Sequence, residues 1–159
     1  KNRLWCKLEL RKKIRGLDAI RSMQNVWAIF RNADWSWFDK IILAWHTPVI
    51  PRSDISKTAL WAETYIDWEY YEDIMVPLNE LRADWYQILA VELTPEAIDY
   101  KTLFNYNKDK VCLVMWNEVA WVSQKVLDFC DKHVIIPMNW KKNSLNVSVA
   151  AWIVMYALS

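Results

Sequence analysis

Glycine is nearly missing from this 159-residue chain: there is one, Gly16, where average usage of ~7% would give about eleven. Folds rich in tight β-turns and loops that cradle phosphates both depend on glycine's positive φ and lack of a side chain. The scarcity therefore argues against strand-rich and P-loop architectures, while helical hairpins tolerate it. Cysteine is also sparse. Cys6, Cys112 and Cys130 are odd in number and widely spaced, which excludes a disulfide framework and weakly favours an intracellular setting. Histidine is limited to His46 and His133. Neither has Glu three residues before it, so the Glu-x-x-His pair of di-metal bundles is absent. There is no proximal histidine in the middle of the chain for a globin haem. No G-x-S-x-G or Walker sequence occurs. No apolar run reaches the ~20 residues of a membrane span; Val147–Leu158 is the nearest.

What is present in excess is tryptophan, twelve residues where roughly two are usual. Over half the residues are apolar and a quarter are charged, which is the balance of a folded globular chain. Net charge is +1, but it is unevenly spread. Residues 1–32 hold nine Lys/Arg against two acids, and residues 33–100 hold four against thirteen.

The apolar spacing reads as helical over most of the chain. Leu17, Ile20, Met23 or Gln24, Trp27 and Phe30 recur at about one-turn intervals, with Gly16 as the stop of a preceding helix and Asp18 as the next cap. Further helices are expected at 37–46, 54–75, 77–93, 94–104, 111–132 and 144–158. In the fifth of these Cys112, Met115, Val119, Val122, Val126 and Phe129 form a 3.5-residue stripe. The expectation is an all-α, single-domain bundle of about seven or eight helices covering 1–159, with Cys112, Val119, Val126 and Trp152 buried.

Chemistry is harder to find. Cys130 and His133 would lie one turn apart, a pair of zinc-ligand types lacking two further ligands. Glu63/Asp67 and Glu69/Asp73 are carboxylate pairs at helical spacing, which read as a solvated acidic face. Lys7, Arg11 and Arg15 make a basic ridge, expected to pair with that acidic face and not with nucleic acid. Trp61, Tyr65 and Trp68 form an aromatic stripe suited to a protein partner or to self-association.

Two fragments resemble known families. Gln24–Arg31 is similar to a helix end of type I interferons, and Phe30–Ala33 with Trp35 or Trp37 is similar to Bcl-2-like proteins. Each covers under a tenth of the chain, and no residue role is carried over. The expected function is a non-catalytic interaction or scaffold subunit, without cofactor or metal. The alternatives are a secreted helical signalling protein, for which the sequon at Asn146 is the only hint, and an enzyme lacking any motif. The composition also fits an artificial or gene-unassigned sequence.

Overall fold

The run Val111-Cys-Leu-Val-Met-Trp116 decides the architecture. Taken as part of a helix it gives a stripe; in the computed structural model it is an extended strand buried on both sides. The structure describes residues 13–18, 20–49, 66–106, 109–116, 123–138 and 144–159. Among them are seven strands: β1 (Lys13–Asp18), β2 (Lys40–Ala44), β3 (Asp67–Tyr71), β4 (Gln87–Val91), β5 (Ile98–Asp99), β6 (Val111–Trp116) and β7 (Lys132–Ile135). The helices are α1 (Met23–Trp35), α2 (Met75–Ala83), α3 (Gln124–Phe129) and α4 (Val147–Ala157), with a short 3-10 segment at Tyr100–Asn105.

The strands form one sheet in the order β3-β2-β1-β6-β4-β7-β5, every neighbouring pair parallel. Parallel strands covered on both faces read as continuous apolar runs, which is why Ile41–Ala44 and Val111–Met115 carry no alternation of polarity. The alternation is instead between two cores. Ile41, Leu43, Val111, Leu113 and Met115 face one cluster, with Phe30 of α1 and Val154 of α4. Ile42, Ala44, Cys112 and Val114 face the other, with Leu78 of α2 and Val126 of α3. At ~25 cal/mol per Å² of apolar area, these two sandwiched layers are the main source of stability.

The all-α bundle is therefore wrong: the chain is a three-layer α/β fold. Gly16 is not a helix stop but lies inside β1, opposite Val114 of β6. A Cβ there would stand 3.3 Å from Ile74 Cδ1, so its smallness admits α2's leading residue. The helix expected around residues 17–30 exists but begins later, capped by Ser22, whose Oγ accepts from Asn25 N. The expected helix at 37–46 contains β2, 77–93 contains part of α2 and then β4, and 111–132 contains β6 and α3. Helix 144–158 is found as α4, capped by Asn146 rather than Ser144. Cys112 and Val126 are buried, whereas Trp152 is 37% exposed; Val119 lies outside the described residues.

Candidate active site at the carboxyl edge of the sheet

From β1 the chain steps outward through β2 to β3, then crosses to the other side of β1 for β4; β6 is later inserted between β1 and β4. Such a reversal opens a crevice at the carboxyl ends of the central strands, where open parallel sheets bind their ligands. The described connections at this edge are Ile20–Ser22 after β1, Trp45–Val49 after β2, Glu92–Ala97 after β4 and Ile136–Met138 after β7. The residues 117–122 that follow β6, and 139–143 before α4, lie outside the described residues.

Hydrogen bonds from side chains fix these connections. The buried Thr47 hydroxyl accepts from Ile20 N and donates to Leu17 O, each at 3.1 Å. It holds the exit from β1 against the turn after β2, and thereby sets where α1 begins. On α1's first turn Asn25 Oδ1 accepts from Asn146 Nδ2 at 3.1 Å. Asn146 Oδ1 accepts from Ser148 N and Ser148 Oγ at 2.9 and 2.6 Å, and Asn32 Nδ2 donates to Ser148 O at 2.9 Å. The amino ends of α1 and α4 are thus tied together by amides beside the crevice. Amide side chains suit this place because each offers both donors and an acceptor.

Under β4 and β7, His133 bridges two elements. Its Nε2 lies 3.1 Å from Leu127 O and its Nδ1 lies 2.8 Å from Thr94 Oγ1. A carbonyl only accepts, so Nε2 carries the proton and Nδ1 accepts from the threonine hydroxyl. With both nitrogens engaged, the pairing of His133 with Cys130 as metal ligands does not form. Burial pushes the Cys130 thiol up to about 12, with Asp131 adding to the rise and Arg82 opposing it; a thiol so protonated is no nucleophile. Among the described residues no group of three or more His, Cys, Asp or Glu could hold a metal ion. Beyond β4 and β7 the apolar side chains at this edge include Leu93 and Met138, both exposed, and half-buried Ile136. Arg21 and Arg31 expose cations just before and within α1.

Of the residues expected to form an interaction surface, two are among those described, Arg15 and Trp68. Lys7, Arg11, Trp61 and Tyr65 lie outside the described residues. Arg15 lies in β1, between Ile41 of β2 and Leu113 of β6, so the ridge at i, i+4 helical spacing does not extend through it. Trp68 lies in β3, half-buried against the core under α1. Of the carboxylate pairs, Asp67 and Glu69 are strand residues, and Glu69 bonds Lys40 at 2.7 Å and Tyr71. Sequence reasoning missed Asn25, Thr47 and Ser148 as site-building residues. Thr94 and Asn146 are short polar residues at the border of an apolar run, Thr94 after one and Asn146 before one, which is the available signal.

Residues 14–156 match the model of the SpoU rRNA Methylase family. The chain belongs to that family. It is 27% identical over 140 residues to the tRNA (guanosine(18)-2′-O)-methyltransferase of Escherichia coli (strain K12), covering 88% of this chain and 59% of that enzyme. It is 35% identical over 92 residues to the enzyme of the same name from Aquifex aeolicus (strain VF5), covering 56% of this chain and 43% of that one. The chain thus spans about half the length of these relatives. An AdoMet-bound rRNA methyltransferase from Sinorhizobium meliloti shares the fold with a TM-score of 0.84 at 24% identity, over 92% of this chain and 55% of that one. So does the A. aeolicus TrmH/SpoU tRNA modifying enzyme, with a TM-score of 0.81 at 24% identity, over 93% and 74%.

Membership in this family overturns four expectations at once. The chain is not a non-catalytic scaffold, nor a secreted signalling protein; its family is one of enzymes; and the relatives act on tRNA or rRNA, against the exclusion of nucleic acid. The interferon and Bcl-2 likenesses are local coincidences on the α1 sequence.

Proposed function

We propose that this chain is the catalytic domain of an S-adenosylmethionine-dependent methyltransferase acting on a ribose 2′-hydroxyl of tRNA or rRNA. The observation that carries the reading is the family match over residues 14–156, which spans the whole described sheet and both ends of the crevice. The chemistry of the crevice fits the cofactor. Leu93, Ile136 and Met138 offer apolar surface for a purine, and the Glu92 carboxylate, which accepts from Leu93 N at 2.7 Å, lies at the same edge to accept from ribose hydroxyls. When bound there, the cofactor supplies a methyl group made electrophilic by its sulfonium.

The chain's own residues hold the walls. Thr47, Asn25 and Asn146 keep the β1 exit and the amino ends of α1 and α4 in register, so that the reacting groups meet in one geometry, from which positioned reactions gain most of their rate. Arg21, exposed beside that edge, and Arg31, exposed further along α1, supply phosphate contacts that orient an RNA without reading its sequence. A net charge of +1 leaves this attraction local and salt-sensitive.

The test is transfer of tritiated methyl from S-adenosylmethionine to unmodified tRNA and rRNA transcripts, followed by nuclease digestion and mass spectrometry of nucleosides. A 2′-O-methylated nucleoside is expected. Label confined to a base, or no label on either RNA, would refute the proposal.

A further inference from the structure

Four non-glycine residues among those described have positive φ: Trp37 at 59°, Trp45 at 49°, Trp85 at 64° and Lys110 at 51°. Three of the four are tryptophan. Bulky L-residues are rare in this left-handed region, because Cβ crowds the backbone there.

The hydrogen bonds show what these positions are. After α2 and its cap residue Asp84, Trp85 N donates to Arg82 O at 3.1 Å and Tyr86 N to Leu81 O at 2.9 Å. That bond pair is the Schellman ending, whose left-handed residue is usually glycine. After α1 and its cap residue Ser36, Phe38 N donates to Ala33 O at 3.1 Å, which places Trp37 at the same position of the same motif. Trp45 is the second residue of the turn closed by Thr47 N to Ala44 O at 3.1 Å, a place where positive φ again selects glycine. Burial does not account for these rings: Trp85 is 85% exposed and Trp37 63%. Trp27, by contrast, is buried, and its indole Nε1 meets no acceptor among the described residues; a buried indole N–H ordinarily has one.

Composition gives the same answer independently. The glycine deficit and the tryptophan excess are of about equal size: one glycine and twelve tryptophans stand where about eleven and roughly two are usual. We infer that positions 37, 45 and 85 are glycine positions of this fold, and that the protein made in its own cells carries glycine there through a codon written as tryptophan in this chain. UGA has the required ambiguity, being one base from the tryptophan codon UGG and one from the glycine codon GGA. Trp68 serves as the contrast: it lies within β3, half-buried against the core, and is absent from the positive-φ set.

The experiment has two arms, neither of which depends on methyl transfer. The protein is purified from the cells that carry its gene and digested with trypsin, which releases Asn32–Lys40, Ile41–Arg52 and Ala83–Lys101. Peptide sequencing by mass spectrometry is expected to find glycine at 37, 45 and 85, and the gene to read UGA at those codons and UGG at codon 68. Tryptophan in all three peptides, or UGG at all three codons, overturns the inference. In the second arm the chain as written is melted beside a Trp37→Gly/Trp45→Gly/Trp85→Gly variant and a Trp68→Gly variant. The triple variant is expected to melt higher by about 5–10 °C and Trp68→Gly lower; a triple variant that melts below the parent overturns the structural half of the argument.

Discussion

Thr47→Val is the sharpest test of how the crevice is held. Valine keeps the volume and β-branching of threonine and removes only the hydroxyl. That hydroxyl is buried and makes two bonds at 3.1 Å, accepting from Ile20 N and donating to Leu17 O. Both partners are backbone groups, and Ile20 and Leu17 are themselves fully buried, so water does not replace the lost partner. An orphaned buried polar group costs about 1–3 kcal/mol. The second methyl gained by valine offsets at most about 0.8 kcal/mol by burial. With two such groups orphaned, the expected loss is about 1–5 kcal/mol, or a fall of roughly 2–20 °C in Tm for a chain of this size.

The assay is urea unfolding followed by far-ultraviolet circular dichroism, with Thr47→Ser alongside. Serine keeps both bonds and loses one methyl, so it should cost about 1 kcal/mol. The slope against urea should be the same in all three proteins, since the change is confined to one site. If Thr47→Val loses less than about 0.5 kcal/mol, or if serine is as damaging as valine, the hydroxyl is not what joins the β1 exit to the turn after β2.

Two further outcomes are expected. Asn146→Ala removes the cap of α4 and its link to Asn25 and should cost about 1 kcal/mol in thermal unfolding; an unchanged Tm would contradict the cap. Tyr71 donates to Glu69, which raises its pKa to about 12. Because the raised value belongs to the folded state, its contribution to stability is complete below the unfolded tyrosine value of about 10 and is lost as pH climbs toward the folded one. Tyrosinate absorbance should therefore show a late-ionising group that disappears in Tyr71→Phe and titrates earlier in Glu69→Gln; identical alkaline titrations in all three would contradict the pairing.

Two helices are legible in the sequence. The segment around Trp27 and Phe30 and the segment from Val147 to Leu158 are α1 and α4. The first is readable because a surface helix keeps an apolar face and a polar one, the second because it is apolar on nearly every face behind a polar cap. The central strands are not, for a physical reason. Strands of a parallel sheet covered on both faces have no polar side, so Val111–Met115 has no period-2 signature and merges with the residues after it into an apparent 3.5-residue stripe. The site residues were harder still: Asn25, Thr47 and Asn146 gain meaning only when β1, β2 and α4 are brought to one edge, and none of these contacts is local. The basic and acidic segments were read as facing helices, but Arg15 and Asp67 lie in strands on either side of β2.

The largest misreading has a single source. Scarce glycine argues against a sheet, yet the fold uses left-handed residues where sheets and helices join, at 37, 45 and 85. With tryptophan written at those places the stop signals vanish and apolar patterns run on. The expected helix 77–93 passes straight through Trp85, the residue that ends α2, and into β4. Glycine at 85 would end that helix at Ala83 and leave Gln87–Val91 as a short apolar run after a turn, which reads as a buried strand. Glycine at 45 would likewise have separated Ile41–Ala44 from His46 and removed the case for a helix there. A reading that restored glycine at these positions would have alternated short strands with helices, the pattern of a parallel sheet.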